Sequence, residues 1–202
     1  MFGNTTIASH LKLGVVVLAG LVMASTTRAN LVPNGDFQTG DLTGWGAPGA
    51  GTSLEADAGP IGSGDYALHV LSANFVLALE SNYFAVDAST TYTVSFDVKK
   101  GSTSSGNART DIGLIRSFGG VYAGGPIILQ DDALLADGNW HQVSWQITTT
   151  DGSPIKFSIW AAGNGGQRDL VLDNFQVAVP EPVSLALLAV GGLLLASRRR
   201  RA

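Results

Sequence analysis

The chain has 202 residues and no cysteine, with 12 Lys+Arg against 16 Asp+Glu. That length suits one ordinary domain with terminal targeting segments, and without cysteine no disulfide framework exists, so an apolar core must hold the fold. Six of the basic residues lie in the first 29 and last 20 positions, so residues 30–182 keep six basic residues against sixteen acidic ones, a net of −10, which excludes a phosphate backbone as a natural partner.

In chain order, Lys12 precedes an apolar run reaching Ala24, and a small, polar stretch follows to Asn30. A positive flank, an apolar run of about a dozen residues and small residues at Thr27 and Ala29 describe a secretory signal peptide over residues 1–29. The competing reading is a buried core helix. On the first reading the chain is exported and signal peptidase is its first processing partner.

The body, residues 30–178, opens on a first strand region, NLVPNGDFQTGDLTGW (30–45), and GAPGAGTS after it reads as a loop. Strand candidates follow: YALHVL, NFVLALE, NYFAV, TYTVSFDVKK, DIGLIRSF, GPIILQ, WHQVSWQITTT, IKFSIWA and DLVLDNFQVA. Period-two alternation is clearest in three of them. Tyr92, Val94, Phe96 and Val98 share one face, with Thr91, Thr93, Ser95 and Asp97 opposite. Val143, Trp145 and Ile147 oppose Trp140, Gln142, Ser144 and Gln146, while Ile155, Phe157, Ile159 and Ala161 oppose Lys156, Ser158 and Trp160. Turn signals at STSSGNA, ADGN, TDGSP and GNGGQ separate these runs. The pattern predicts an all-β chain folded as an antiparallel β-sandwich or jelly roll, flanked by a signal helix and a short C-terminal apolar helix.

That last helix, Val183 to Ala196, has 14 residues. It would reach about 21 Å against a hydrocarbon core of ~30 Å, so it spans poorly alone. Pro180 and Pro182 stop it from extending upstream, and Arg198, Arg199, Arg200 and Arg201 would hold its end on the cytoplasmic side. The order Val-Pro-Glu-Pro, short apolar helix, arginine cluster (179–202) resembles the PEP-CTERM sorting signal of Gram-negative, exopolysaccharide-making bacteria. The resemblance implies that Pro180, Glu181 and Pro182 are read by an exosortase, a membrane cysteine protease that removes the tail. The protein would then rest only transiently in the inner membrane and finish at the cell surface or in the matrix. A plain C-terminal anchor is the alternative.

The opening Asn-Leu-(apolar)-Asn-Gly-x-Phe step, with Trp45 after it, is similar to the start of jelly-roll carbohydrate-binding modules of families four and nine. DLVLDNFQV resembles their last strand, and TTYTVSFDVK and NWHQVSWQIT resemble middle strands. The resemblance implies a galactose-binding-like jelly roll that holds polysaccharide, often with a structural calcium. Its calcium ligands would be the acid after the first Phe and the first Asp of the last strand. Here those positions are Gln38 and Asp173, with Asn174 replacing a second acid and Asp36 available nearby. A calcium ion wants six to eight oxygens, several of them charged. The alternative for Asp173 is a hydrogen-bonded carboxylate that closes the terminal strands together.

No catalytic constellation can be assembled. The histidines are His10, His69 and His141, and there is no His-Glu-x-x-His, Gly-x-Ser-x-Gly or cysteine nucleophile. A glycosidase needs two carboxylates across a cleft, and the adjacent Asp131 and Asp132 would point opposite ways in a strand. Binding needs less: aromatic rings stack on the apolar faces of sugars while amides and charged groups take their hydroxyls. Trp160 is the first candidate, with Gln142, Gln146, Arg116, His69 and Tyr83 as further ones and Tyr122 beside them. Trp140 is expected to cap the sandwich, and Trp145 and Trp45 to pack. Three functions stay open: a polysaccharide-binding module, a surface or biofilm-matrix protein without a sugar ligand, and a glycan hydrolase or lyase.

Overall fold

A computed structural model describes residues 30–179, apart from residue 63 and residues 106–107, 117–122, 124–126, 130–135 and 163–165. The expected signal helix, the PEP-CTERM tail from Pro180 to Arg201, Tyr122, Asp131 and Asp132 all lie outside the described residues.

Nine strands are described: β1 (Thr52–Glu55), β2 (Ala67–Ser72), β3 (Val76–Glu80), β4 (Thr91–Lys100), β5 (Arg109–Ile115), β6 (Ile127–Leu129), β7 (His141–Thr148), β8 (Lys156–Ala162) and β9 (Arg168–Ala178). They form a five-stranded sheet, β1-β2-β9-β4-β7, and a four-stranded sheet, β3-β8-β5-β6. Every pairing is antiparallel. The β-sandwich expected from alternation is therefore present.

The alternation decides which side of each strand enters the core. Tyr92, Val94, Phe96 and Val98 of β4 are buried, as are Phe157, Ile159 and Ala161 of β8. At the centre, Phe175 meets Phe96, Trp45, Phe157 and Phe37 at ring-centroid distances of 5.5, 5.2, 5.1 and 6.1 Å. Large rings from both sheets and from the opening segment thus meet in one cluster, which is where most apolar area leaves water. Trp45 is packed as expected, with its indole N–H donating to the Asn34 carbonyl at 3.1 Å. Trp145 is half-buried on the edge strand β7, edge-on to Phe96.

Three sequence expectations change. Residues 30–45 are not a strand but a chain of turns along β9. Leu31 N–H donates to Val177 O, and the Asn30 side chain both accepts from Val177 N–H and donates to Phe175 O. Its Asn-Gly-x-Phe step has a local physical reason. Asn34 takes a left-handed φ of 47° that asparagine tolerates, and a Cβ on Gly35 would lie 2.1 Å from the Phe175 carbonyl. Phe37 also sits at a left-handed φ of 52°, a strain offset by complete burial of its ring. NYFAV is no strand either, because Phe84 makes only an isolated bridge to Ile155. Conversely, part of the expected GAPGAGTS loop is β1, paired with β2 from Thr52 opposite Val70 to Glu55 opposite Ala67.

Candidate functional site

The outward side of the four-stranded sheet is built around β8. Register puts Trp160 between Leu77 of β3 and Asp111 of β5, and Ser158 between Glu80 and Gly113. Outward alternation therefore brings Lys156, Ser158, Trp160, Glu80 and Asp111 to one side. Trp160 Nε1–H donates to Ser158 Oγ at 2.8 Å, and Ser158 Oγ donates to Glu80 Oε1 at 3.2 Å. The other Glu80 oxygen accepts from Lys156 Nζ, whose ammonium lies 4.9 Å from the centre of the Tyr83 ring. Lys156, Ser158 and Asp111 are buried, whereas Tyr83 is 48% exposed and Phe75, stacked on Trp160, is 63% exposed.

This arrangement is a buried polar floor carrying exposed aromatic rings. Its chain of bonds uses the indole N–H and locks the Trp160 rotamer, so the group left for contact is the ring face, on which Phe75 lies. Beside it, Arg109 Nη2 donates to Asp111 Oδ2 at 2.8 Å. Glu80 with Lys156 and Arg109 with Asp111 are two balanced ion pairs, so the site presents no net charge.

The sequence candidates fall in separate places. Trp160 and Tyr83 are joined through Ser158, Glu80 and Lys156. Gln142 and Gln146 are exposed on the five-stranded sheet, opposite Asp97 and Thr93, on an outward face that also carries Thr91, Ser95 and Ser144. Arg116 follows the end of β5 and is tied to Asp151 Oδ2 and Thr150 Oγ1, each at 3.0 Å. These bonds hold its guanidinium beside the turn between β7 and β8, away from Trp160. His69 is held at both ring nitrogens: Nδ1 meets Glu55 Oε1 at 2.6 Å and Nε2 meets Asp169 Oδ1 at 2.8 Å. Burial works against charge on this imidazole, but the bonds to Asp169 and Glu55 outweigh it and raise its pKa. Trp140 lies half-buried under the Lys99 ammonium, 5.3 Å from the ring centre.

Phe75, Glu80, Arg109 and Asp111 were not anticipated. Alternation had already put Lys156, Ser158 and Trp160 together. The partners lie about 45–85 residues away in sequence, in β3, β5 and the turn before β3, and only the folded sheet supplies them.

A second cluster lies where the opening segment crosses β9. Asp36, Gln38 and Asp173 are joined there by Asp65 from the loop before β2 and by Asp97 from β4. Gln38 Nε2–H donates to Asp65 Oδ1 and to the Asp36 carbonyl. Asp173 is fully buried: its Oδ1 accepts from Asn174 N–H at 2.6 Å, while its Oδ2 has no partner. Burial, opposed by that N–H and reinforced by the charges of Asp65, Asp36 and Asp97, pushes the Asp173 carboxyl up to about 8. Hard oxygens and an orphaned carboxylate oxygen suit a calcium ion in chemistry. In geometry, no group of three or more His, Cys, Asp or Glu side chains among the described residues converges on a metal position. Turning the Gln38 amide over would present its oxygen instead of its N–H2.

The family comparison agrees with this architecture. The family model described as a carbohydrate binding domain, CBM_4_9, matches residues 29–166, and the chain belongs to that family. Among solved structures, the chain is similar to TmCBM61 in complex with β-1,4-galactotriose, at 16% identity and a TM-score of 0.53 over 75% of this chain and 99% of that one. It is also similar to a family 16 carbohydrate-binding module, at 20% identity and 0.51 over 74% and 99%. A third is the CBM22-1 xylan-binding domain of Paenibacillus barcinonensis Xyn10C, at 18% identity and 0.50 over 79% and 99%. At these identities the likeness shows the fold. No curated protein matches the chain. Among the described residues no helix is long and apolar enough to cross a membrane.

Proposed function

We propose that this chain is an exported, non-catalytic module that holds a neutral polysaccharide against the aromatic rings of its four-stranded sheet. The observation that carries the reading is the Trp160–Ser158–Glu80–Lys156 chain of bonds, which fixes an indole face beside exposed Tyr83 and Phe75. Membership of a carbohydrate-binding family supports it. Stacking takes the apolar face of a pyranose, and the two ion pairs offer donors and acceptors to its hydroxyls. With charges balanced, the site has no excess of cations to select a uronate or a sulfate.

The Asp36–Gln38–Asp65–Asp97–Asp173 cluster is a structural calcium site in this reading. The ion would tie the opening segment to β9, giving the orphaned Asp173 oxygen a partner. Export by the signal segment, processing by signal peptidase and an exosortase, and final residence at the surface or in the matrix complete the proposal. They are supported by the order of parts in residues 1–29 and 179–202. Intact mass of the secreted protein tests that part: a mature form that still carries Arg198 to Arg201 contradicts cleavage.

The sugar reading is tested by affinity electrophoresis of residues 30–178 through gels containing xylan, β-1,4-galactan, mixed-linkage β-glucan or bacterial exopolysaccharide, with calcium and with chelator. Retardation in at least one gel is expected. Free migration in all of them contradicts the reading and favours a matrix protein without a sugar ligand.

A further inference from the structure

Phe75 stands in the short turn between β2 and β3, which Ser72 and Asn74 close with hydrogen bonds of 3.1 and 3.2 Å. Its ring centroid is 5.1 Å from that of Trp160, and the two planes differ by 20°. Rings lying side by side in one plane stay about 6 Å or more apart, because their edges meet at van der Waals contact first. The two rings therefore overlap face to face in an offset stack. The indole is tethered through its N–H edge to Ser158, which is fully buried. Trp160 is half-buried while Phe75 is 63% exposed, so Phe75 is the outer layer of the stack.

We infer that Phe75 is a displaceable occupant of the ligand position: it covers the Trp160 face in the absence of glycan and yields it to a pyranose ring. This rests on the sugar reading of the same site. The exchange replaces one apolar ring by another, so the favoured guest is a pyranose whose hydroxyls are equatorial and whose CH face is uninterrupted. The phenyl–indole stack must be given up on binding, so the free protein holds its sugar more weakly than the bare indole would.

The competing arrangement is a two-ring platform on which Phe75 adds a second stacking position. Phe75→Ala separates the two. Because the side chain is largely exposed, the variant is expected to fold, with its melting temperature lowered by no more than the few degrees that one aromatic stack is worth. Two readouts follow. The first is acrylamide quenching of tryptophan fluorescence without sugar, with the Trp160 contribution isolated by comparing each protein with its Trp160→Phe counterpart. The second is retardation in the polysaccharide gels described above. Removal of the cover is expected to make Trp160 more quenchable and to tighten retention about 2- to 10-fold, the worth of one aromatic stack. Unchanged quenching, or weaker retention of Phe75→Ala, overturns the inference while wild-type retention leaves the sugar reading standing. If neither protein is retained although quenching rises, the sugar reading fails and this inference fails with it.

Discussion

Asp173 is the residue under most electrostatic stress. A carboxyl with an ordinary value of 3.8 is pushed to about 8 in the fold, so the folded state binds a proton over a range where the unfolded chain has released it. Stability then falls as pH rises from about 4 to 8. Asp173→Asn keeps an acceptor for Asn174 N–H and carries no charge, so it is expected to flatten that slope in a series of melting curves. Calcium binding to the folded state would raise the wild-type melting temperature. The same variant is expected to abolish that increase, and an increase that survives in Asp173→Asn places the ion elsewhere.

The residue scale also shows what was legible in advance. Trp160 as an outward ring followed from period-two alternation, because Phe157 and Ile159 had to be inside. Asp173 with Gln38 followed from the family likeness. Phe75 and Asp111 did not, since one sits in a turn and the other looks like an ordinary strand residue until register sets it against Trp160. The ion pairs of His69 were not legible either, because its acids arrive from β1 and β9.

At the scale of elements, His69 is a clamp. It joins β1 through Glu55 to β9 through Asp169, and Asp169 in turn accepts from Thr103 N–H and Oγ1 at 2.9 and 2.6 Å. Both ring nitrogens face carboxylates, which requires the imidazolium for both bonds to form. Its pKa is raised, so the stabilisation is complete below about 6.5 and is lost as pH rises through the folded value. Amide hydrogen exchange in β1 is expected to speed up above neutral pH in the wild type, after correction for intrinsic rates. His69→Gln is expected to make it fast throughout. Identical protection of β1 in the two proteins at pH 6 contradicts the clamp.

Arg168 performs the corresponding task between the sheets. Although fully buried, it donates to Thr110 Oγ1, the Ala108 carbonyl and the Leu129 carbonyl at 3.0, 3.1 and 2.9 Å. It fastens the start of β9 in one sheet to β5 and β6 in the other. Arg168→Ala strands these acceptors in the interior and is expected to cost about 3 kcal/mol in urea unfolding. A loss below about 0.5 kcal/mol, the range of ordinary surface changes, contradicts this role. The long strands β4, β7 and β8 were readable because each alternates over several residues, and β9 because its apolar residues follow the GNGGQ turn signal. β1 was not, being four residues in a glycine-rich stretch whose pairing is imposed by β2. The opening segment misled in the other direction: its apolar residues are spaced by turns, and left-handed Asn34 and Phe37 break any extended path.

For the whole molecule, two sheets enclose an aromatic core and leave two unlike outer faces. One, over β4 and β7, carries serine, threonine, glutamine and Asp97, with one ring, Trp140, under the Lys99 ammonium. The other carries stacked rings over a buried polar floor. Family membership supports carbohydrate as the ligand class, and the distribution of aromatic side chains favours the second face. Affinity electrophoresis in the gel that retains the wild type compares the two directly, using Trp160→Ala and the double variant Gln142→Ala/Gln146→Ala. Trp160→Ala is expected to weaken retention at least about tenfold, as loss of a central aromatic anchor does, with the glutamine variant staying within about twofold of the wild type. Undiminished retention of Trp160→Ala, or loss confined to the glutamine variant, contradicts the account.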